Sequence, residues 1–219
     1  NLVFTLVAMA WIDRLGRRPL LLAGVAGIAC SMLLLAACFA SATYRFTPES
    51  LVLLEDGQLA AVLETVRGEV WSSDVAFRAA MTELLGEARF AAHEDALLRS
   101  AIEVDPLLVL CGILAFVASF AVSLGPVMWV LFSELFPNRV RALAVSFAGL
   151  VNSGVSFGVQ LLFPWELATL GAATTFLLYG LFACVGLLAV FRWVPETRGQ
   201  SLEALERRLA PDVTEEVER

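Results

Sequence analysis

The stretch WIDRLGRRPLLL, residues 11–22, places an aspartate and three arginines between two apolar segments. Residues 20–40 follow it without a single charged side chain. A bilayer core needs roughly 20 apolar residues in a helix, so residues 20–40 are predicted to span a membrane. Gly16 permits a sharp reversal and Pro19 suits the first turn of the next helix. The charged stretch is therefore predicted to be a tight turn at the membrane surface.

Working outward from this turn, three further apolar runs are long enough to cross a bilayer, namely residues 107–132, 142–164 and 171–191. Of the 219 residues, 59% are hydrophobic and only 17% are charged, with a mean hydropathy of +0.79. A buried helix of a soluble protein would explain one such run but not four. Residues 1–12 are apolar but too short to span. We therefore expect a truncated fifth helix, and a chain that is the second half of a longer membrane protein.

The arginines predict the orientation, because short cytoplasmic loops of membrane proteins are enriched in Lys and Arg. Arginines cluster in the first turn, after residue 132 and after residue 191, which lie on one side if the helices alternate. The opposite short loop carries Glu166 and no positive charge. The arginine side is predicted to be the cytoplasm. The expected location is the plasma membrane, or the inner membrane if the source is bacterial.

Residues 41–105 form a long extracytoplasmic insert with 12 acidic and 5 basic residues. A helix capped by Asp74 is predicted here, because one set of apolar residues recurs at helical spacing. That set is Phe77, Met81, Leu84, Leu85 and Ala88. Residues 48–71 are predicted to form a second amphipathic helix. An inert helical cap, dispensable for function, is favoured over a ligand-binding or partner-binding module.

Each of the three predicted cytoplasmic loops contains both acidic and basic residues. We call these residues together the cytoplasmic charge cluster. Its members are Asp13, Arg14, Arg17, Arg18, Glu134, Arg141, Glu196 and Arg198. Pairs of this kind can form in one conformation and break in another, so the cluster is predicted to be a conformational latch. The predicted organisation is helix–loop–helix in 1–40, insert in 41–105, three spans in 106–194 and a cytoplasmic tail in 195–219.

Three motifs, in order and at suitable spacing, carry a resemblance to a known family. They are DRLGRRP at 13–19, GPVMWVLFSELFPNRVR at 125–141 and VPETRGQSLEALE at 194–206. The chain resembles the C-terminal half of a sugar porter of the major facilitator superfamily. This implies an all-α membrane protein, a C-terminal bundle of about five transmembrane helices with the first one truncated. The insert departs from the short loop usual in bacterial members, although some animal members lengthen the same loop.

The resemblance also implies a substrate-binding site. Trp129 matches the tryptophan that packs against the sugar ring, and Gly125 begins a bend beside it. Asn1 and Asn152 match amides that contact sugar hydroxyls. Ser153 departs from the family, because many relatives have a second tryptophan there. The pocket is therefore expected to be wider and more polar.

The implied function is transport of a sugar or similar neutral polyol by alternating access. No charged residue lies in the middle third of any span, which suits a neutral solute, and no phosphate-binding glycine loop is present. Proton-coupled symport is favoured; passive facilitation, carriage of another neutral compound such as inositol, and a non-transporting sugar sensor remain open. No enzyme activity, metal, cofactor or nucleic acid is expected. The expected partners are the substrate, a coupling proton, the lipid bilayer and the missing N-terminal half.

Overall fold

The computed structural model of the protein describes residues 2–6, 15–52, 57–136 and 140–196, without the side chains of 52, 57, 58 and 133–135. Its elements are α1 (Arg17–Ala40), β1 (Thr43–Tyr44), α2 (Pro48–Val52), α3 (Gly57–Leu63), a 3-10 turn (Glu64–Val66), α4 (Asp74–Leu85), α5 (Glu87–Ala101), β2 (Ile102–Glu103), α6 (Pro106–Val122), α7 (Leu124–Leu135), α8 (Arg141–Leu170) and α9 (Ala172–Trp193). Within these ranges, four segments are long and apolar enough to cross a membrane: α1, α6 with most of α7, α8 and α9. The predicted all-α architecture with four spans is confirmed.

The span predicted at 107–132 is a broken helix. The break lies at Ser123, with φ −119° and ψ −87°, two residues before the glycine at which the sequence placed it. Pro126 explains the shift, because its ring lacks an N–H and clashes with the carbonyl four residues earlier. In the first turn of α7 the missing N–H costs nothing. The Ser123 hydroxyl donates to the Ser119 carbonyl oxygen at 2.7 Å, which keeps this buried side chain satisfied.

Helix α8 is longer than predicted. The sequence ended this span at Pro164, but the helix continues through the proline to Leu170. The residues after Pro164 include Glu, Leu and Ala, which favour helix, so one lost backbone bond does not end it. The chain reverses at Gly171 instead, where φ is +80°. This left-handed conformation is one that glycine adopts at little cost.

The predicted helix over 48–71 is divided into α2, α3 and the 3-10 turn. Gly68 has φ +91°, which ends helical structure before Trp71. Trp71 pairs instead with Tyr44 through two backbone hydrogen bonds of 2.9 Å. β1 and β2 pair antiparallel, with Thr43 opposite Glu103. The ends of the insert are thereby held together.

Helix α4 confirms part of the predicted apolar face. Phe77 and Met81 are fully buried, but Leu84 is 36% exposed because the helix ends at Gly86. Ala88 lies in the next helix and is exposed. The predicted cap was also wrong by one residue, since the Ser73 hydroxyl accepts the Ala76 N–H at 3.2 Å.

The described chain forms two compact units. The first is drawn from Asn1–Met32, Ile113–Leu162 and Tyr179–Arg219. The second is drawn from Leu33–Gly112 and Phe163–Leu178. The second unit has its own apolar core, formed by Ala42, Tyr44, Phe46, Leu51, Leu59, Leu63, Phe77, Met81, Phe90, Leu97 and Ala101. The insert is therefore a packed structure with a closed core.

Candidate functional site

Trp129 is positioned by α7 against a glycine of α8. A methyl group built at Gly149 would lie 3.7 Å from Cη2 of the indole ring, so the two are in van der Waals contact. Phe132 packs edge-on against the same ring, with centroids 6.1 Å apart. Trp129 nevertheless stays 45% exposed. Its ring is therefore held in place on one side and open on another.

Asn152 lies three residues after Gly149 on α8, and residues at this spacing share a helix face. Its side chain is exposed. Among the described residues, neither the Asn152 amide nor the Trp129 indole N–H makes a hydrogen bond. A free amide in an apolar span is costly unless it finds a partner. Asn152 thus lies about one helical turn along α8 from the glycine beside Trp129.

The structure gives less support to the other two residues predicted to contact the substrate, Gly125 and Asn1. Gly125 is the second residue of α7, and a methyl group there would make only ordinary contacts with Phe120, at 3.5 Å from its carbonyl oxygen and 3.9 Å from its ring. Neither its backbone conformation nor its surroundings require glycine. Asn1 lies outside the described residues, so its predicted contact stays a prediction.

Glu196 binds the start of α1. Its two carboxylate oxygens accept the backbone N–H groups of Arg17 and Arg18 at 3.1 and 3.2 Å. Gly16 has φ +95°, and a methyl group there would lie 2.7 Å from Glu196 Oε2. The carboxylate therefore caps a helix N-terminus, where unpaired N–H groups and the helix dipole favour negative charge.

Arg18 binds the end of α9 in return. Its Nη2 donates to the Phe191 carbonyl oxygen at 2.7 Å, and its guanidinium carbon lies 5.6 Å from the Phe191 ring centroid. A cation at a helix C-terminus is favourable for the same electrostatic reason. Two contacts, one through Glu196 and one through Arg18, therefore link the start of α1 to the end of α9.

The rest of the cytoplasmic charge cluster is only partly described. Arg141 donates through Nε to the Phe136 carbonyl oxygen at 3.1 Å, which links the start of α8 to the end of α7. Asp13, Arg14 and Arg198, together with the side chain of Glu134, lie outside the described residues. An ion pair of Arg17 with Glu134 or with Glu196 when the cytoplasmic side is closed stays a prediction.

The sequence analysis missed a close contact between α1 and α6. The Ser123 hydroxyl fills the space that a side chain at Gly24 would occupy, and Ser119 does the same at Gly27. Small residues let two membrane helices approach closely. The signal was present in the spacing of the two glycines and the two serines, which places each pair on one helix face.

It also missed a contact between the insert and the turn before α9. Asp74 Oδ2 accepts the Ala172 N–H at 2.8 Å, and its carboxylate fills the space where a side chain at Gly171 would lie. Asp74 therefore caps α9 rather than its own helix. No local pattern reveals this, because the two residues are 98 positions apart.

With this geometry in place, comparisons with known proteins identify the family. The family model described as sugar (and other) transporter matches residues 1–50 and 79–209. The chain is 33% identical to the chloroplastic D-xylose-proton symporter-like 3 of Arabidopsis thaliana, over 95% of its own length and 27% of the relative. It is 31% identical to the Homo sapiens solute carrier family 2 facilitated glucose transporter member 10, over 93% and 42% of the two chains.

A solved structure agrees with these relatives. The proton:xylose symporter XylE bound to 6-bromo-6-deoxy-D-glucose matches with a TM-score of 0.58 and 27% identity, over 95% of this chain and 32% of that one. The chain thus spans well under half the length of the proteins it matches. With its four candidate spans it is part of a multi-pass membrane protein. The chain belongs to the sugar transporter family of the major facilitator superfamily.

Proposed function

We propose that the protein carrying this chain transports a sugar or similar neutral polyol by alternating access, and that this chain forms its C-terminal helical bundle. The observation that carries the proposal is the placement of Trp129 beside Gly149, on the helix that also presents Asn152. The ring and the amide are open and lack hydrogen-bond partners among the described residues.

The chemistry of the pair suits a sugar. An indole face packs against the C–H groups of a pyranose, and its N–H remains available to a hydroxyl. An amide both donates and accepts, so Asn152 can bind a hydroxyl in either role. The middle of each predicted span lacks charge, which removes the attraction an ionic substrate would need. A neutral, polyhydroxylated solute satisfies all three features.

Proton-coupled symport is the favoured mode, and passive facilitation is the second candidate. The first is supported by the relative and the solved structure whose names describe proton symporters. The second is supported by the relative named a facilitated glucose transporter. Sugar uptake into liposomes containing the full-length protein, with and without an inward proton gradient, separates the two. A sugar sensor would bind but show no counterflow.

The tie between α1 and α9 supplies a gate at the predicted cytoplasmic side. Glu196 and Arg18 hold two span ends together through backbone groups in this conformation. Arginines of the cytoplasmic charge cluster can also pair with charges of the other half of the carrier in one state only. Each exposed pair contributes about 0.2–1 kcal/mol, so several together would bias the alternating equilibrium.

The test compares two tryptophans in full-length protein reconstituted in liposomes. Replacing Trp129 with alanine should reduce uptake efficiency about tenfold, because ring contacts are worth roughly 0.5–1.5 kcal/mol beyond the area they bury. Replacing Asn152 with alanine should act similarly. Trp165, which is 58% exposed near the other end of α8, is the matched control. Equal losses in Trp129→Ala and Trp165→Ala would remove the proposed site.

A further inference from the structure

The second unit contains a cavity of about 300 Å³ that the transport proposal does not use. Its apolar walls include Phe39 of α1, Leu167 of α8 and Phe176 of α9, and the insert contributes Leu98 and Ile102. Ligand sites typically begin at about this volume. The cavity is formed where the insert covers the ends of three spans, so it lies at the depth of the membrane interface.

Of the three charged side chains that line the cavity, Asp74 and Arg78 have partners, although Arg78 Nε is buried without a hydrogen-bond acceptor among the described residues. Asp74 accepts the N–H groups of Val75 and Ala172 at 3.0 and 2.8 Å. Arg78 forms an ion pair with Glu94. Arg99 also lines the cavity and is exposed, and in the described part of the chain it makes no ion pair or hydrogen bond. The cavity therefore presents one uncompensated cation beside an apolar wall.

An apolar wall with one unpaired cation is poorly suited to bind a sugar. Phe39 and Phe176 stack on one another, with centroids 5.4 Å apart and planes 9° from parallel, so each ring already has one face covered. The carboxylate of Asp74 is occupied by backbone donors, which leaves few groups for a ring of hydroxyls. An apolar wall with a single free guanidinium fits instead an amphiphile that carries one negative charge.

The position of the cavity identifies the source of such a molecule. Phe39 is the penultimate residue of α1, and Leu167 lies three residues before the end of α8. Side chains at the ends of spans lie at the level of the lipid head groups, and an arginine near the membrane surface attracts anionic head groups. We propose that this cavity binds an anionic phospholipid of the outer leaflet. The phosphate lies against Arg99 and the first part of an acyl chain lies along Leu167 and Phe176.

The proposal can be tested by binding, independently of transport. Full-length protein is purified, incubated with phosphatidylglycerol or phosphatidylcholine, and analysed by native mass spectrometry. We expect preferential retention of one phosphatidylglycerol. Arg99→Gln should weaken that binding about three- to fivefold, as expected for one partly exposed charge pair, and leave phosphatidylcholine unchanged. Leu98→Trp fills the cavity and should weaken both.

Arg67→Gln is the matched control, because Arg67 pairs with Glu64 on the insert surface and does not line the cavity. An equal loss in the two arginine variants would mean that only general surface charge matters, and would overturn the proposal. Equal retention of both lipids by the unaltered protein would also overturn it. So would displacement of phosphatidylglycerol by xylose or glucose, since the cavity would then be a sugar site. Arg99 is exposed, so its variant decides the matter even if Leu98→Trp does not fold.

Discussion

Two acidic residues, Glu196 and Asp74, make the same contact at the starts of two different spans. Each carboxylate comes from a distant part of the chain and accepts from the first turn of a helix, Glu196 from two backbone N–H groups of α1 and Asp74 from one of α9. Each also fills the space beside a glycine with positive φ, Gly16 in the first case and Gly171 in the second. Both positions therefore require glycine, because the backbone has a positive φ and because a side chain would overlap the carboxylate.

The two contacts differ in how firmly the carboxylate is held. Glu196 follows the end of α9 in irregular structure and reaches α1 through a longer side chain. Asp74 is the first residue of α4, which is anchored in the insert core through Phe77. A glutamate of this kind can move aside, whereas the aspartate cannot move without the insert. The first contact thus suits a joint that moves and the second a fixed support.

The largest effect is expected from Gly171→Ala. The added methyl group would overlap the carboxylate of Asp74 and would lie 3.0 Å from a methyl of Val75, and the positive φ is strained for alanine. We expect a loss of about 3–4 kcal/mol, from backbone strain together with the displaced charged hydrogen bond. Gly16→Ala should cost less, about 2 kcal/mol, because Glu196 can shift.

Gly86→Ala is the control for strain alone. Gly86 has φ +80° but nothing within 4 Å of the added methyl group, so the cost should be about 1–2 kcal/mol. Thermal unfolding of the full-length protein in detergent would measure all three. If Gly16→Ala destabilises as much as Gly171→Ala, the distinction between a mobile and a fixed carboxylate is wrong.

The next largest effect is expected from high pH, which should lower the stability of the insert. Burial, with a smaller contribution from the charge of Asp74, raises the pKa of Tyr44 from 10.0 to about 12. Because the folded state holds this proton more tightly, the stabilisation is complete below pH 10 and is lost as pH rises towards 12. The upper limit is roughly 3 kcal/mol. Melting temperatures from pH 8 to 11.5 should fall less steeply in Tyr44→Phe than in the unaltered protein.

Asp74→Ala should cost about 1–2 kcal/mol, the usual range for losing a helix cap with its dipole interaction. Asp74→Asn keeps an acceptor oxygen for the Ala172 N–H and should cost less. Hydrogen exchange at the first turn of α9 would report the effect directly. Protection unchanged in Asp74→Ala would show that the cap contributes nothing.

Deleting residues 47–102 also removes this cap, so the shortened protein should be less stable. Because the insert is predicted to be dispensable for transport, we expect sugar uptake to remain measurable.

Glu196→Gln should have a small effect on stability, below about 1 kcal/mol, because the amide oxygen still accepts one N–H. Its effect should appear in function as a severalfold slower uptake with sugar binding unchanged, since the lost charge weakens one conformation. Uptake into liposomes and equilibrium sugar binding would separate the two readouts. Weaker binding with unchanged turnover would contradict a gating role.

The smallest effect tests the pairing that lies outside the described residues. Arg17→Lys and Glu134→Gln should each slow uptake about two- to fivefold, because lysine lacks the planar two-pronged contact of arginine. If the two residues pair, the double variant should lose less than the product of the single losses. Additive losses in this double-mutant cycle would show that they act separately.

The sequence alone determined the membrane class, the four spans and the family, and it predicted the cytoplasmic charge cluster. These follow from the length of apolar runs, the arginine placement and three ordered motifs, all of which are local in the chain. The same local reasoning misplaced the break near Pro126 and the end of α8. Both errors arose at prolines, since the outcome depends on where the proline falls within a helix and on the residues that follow it.

Only the tertiary structure decided which groups meet across the chain. It packs Trp129 beside Gly149 and Ser123 against Gly24, and it places the Asp74 carboxylate within hydrogen-bond distance of the first residue of α9. It also showed that Glu196 accepts the backbone N–H groups of Arg17 and Arg18, a contact that charge alone does not predict. The physical reason is that periodicity reports which face of a helix is apolar, whereas a cap or a cavity depends on the distance between residues far apart in sequence.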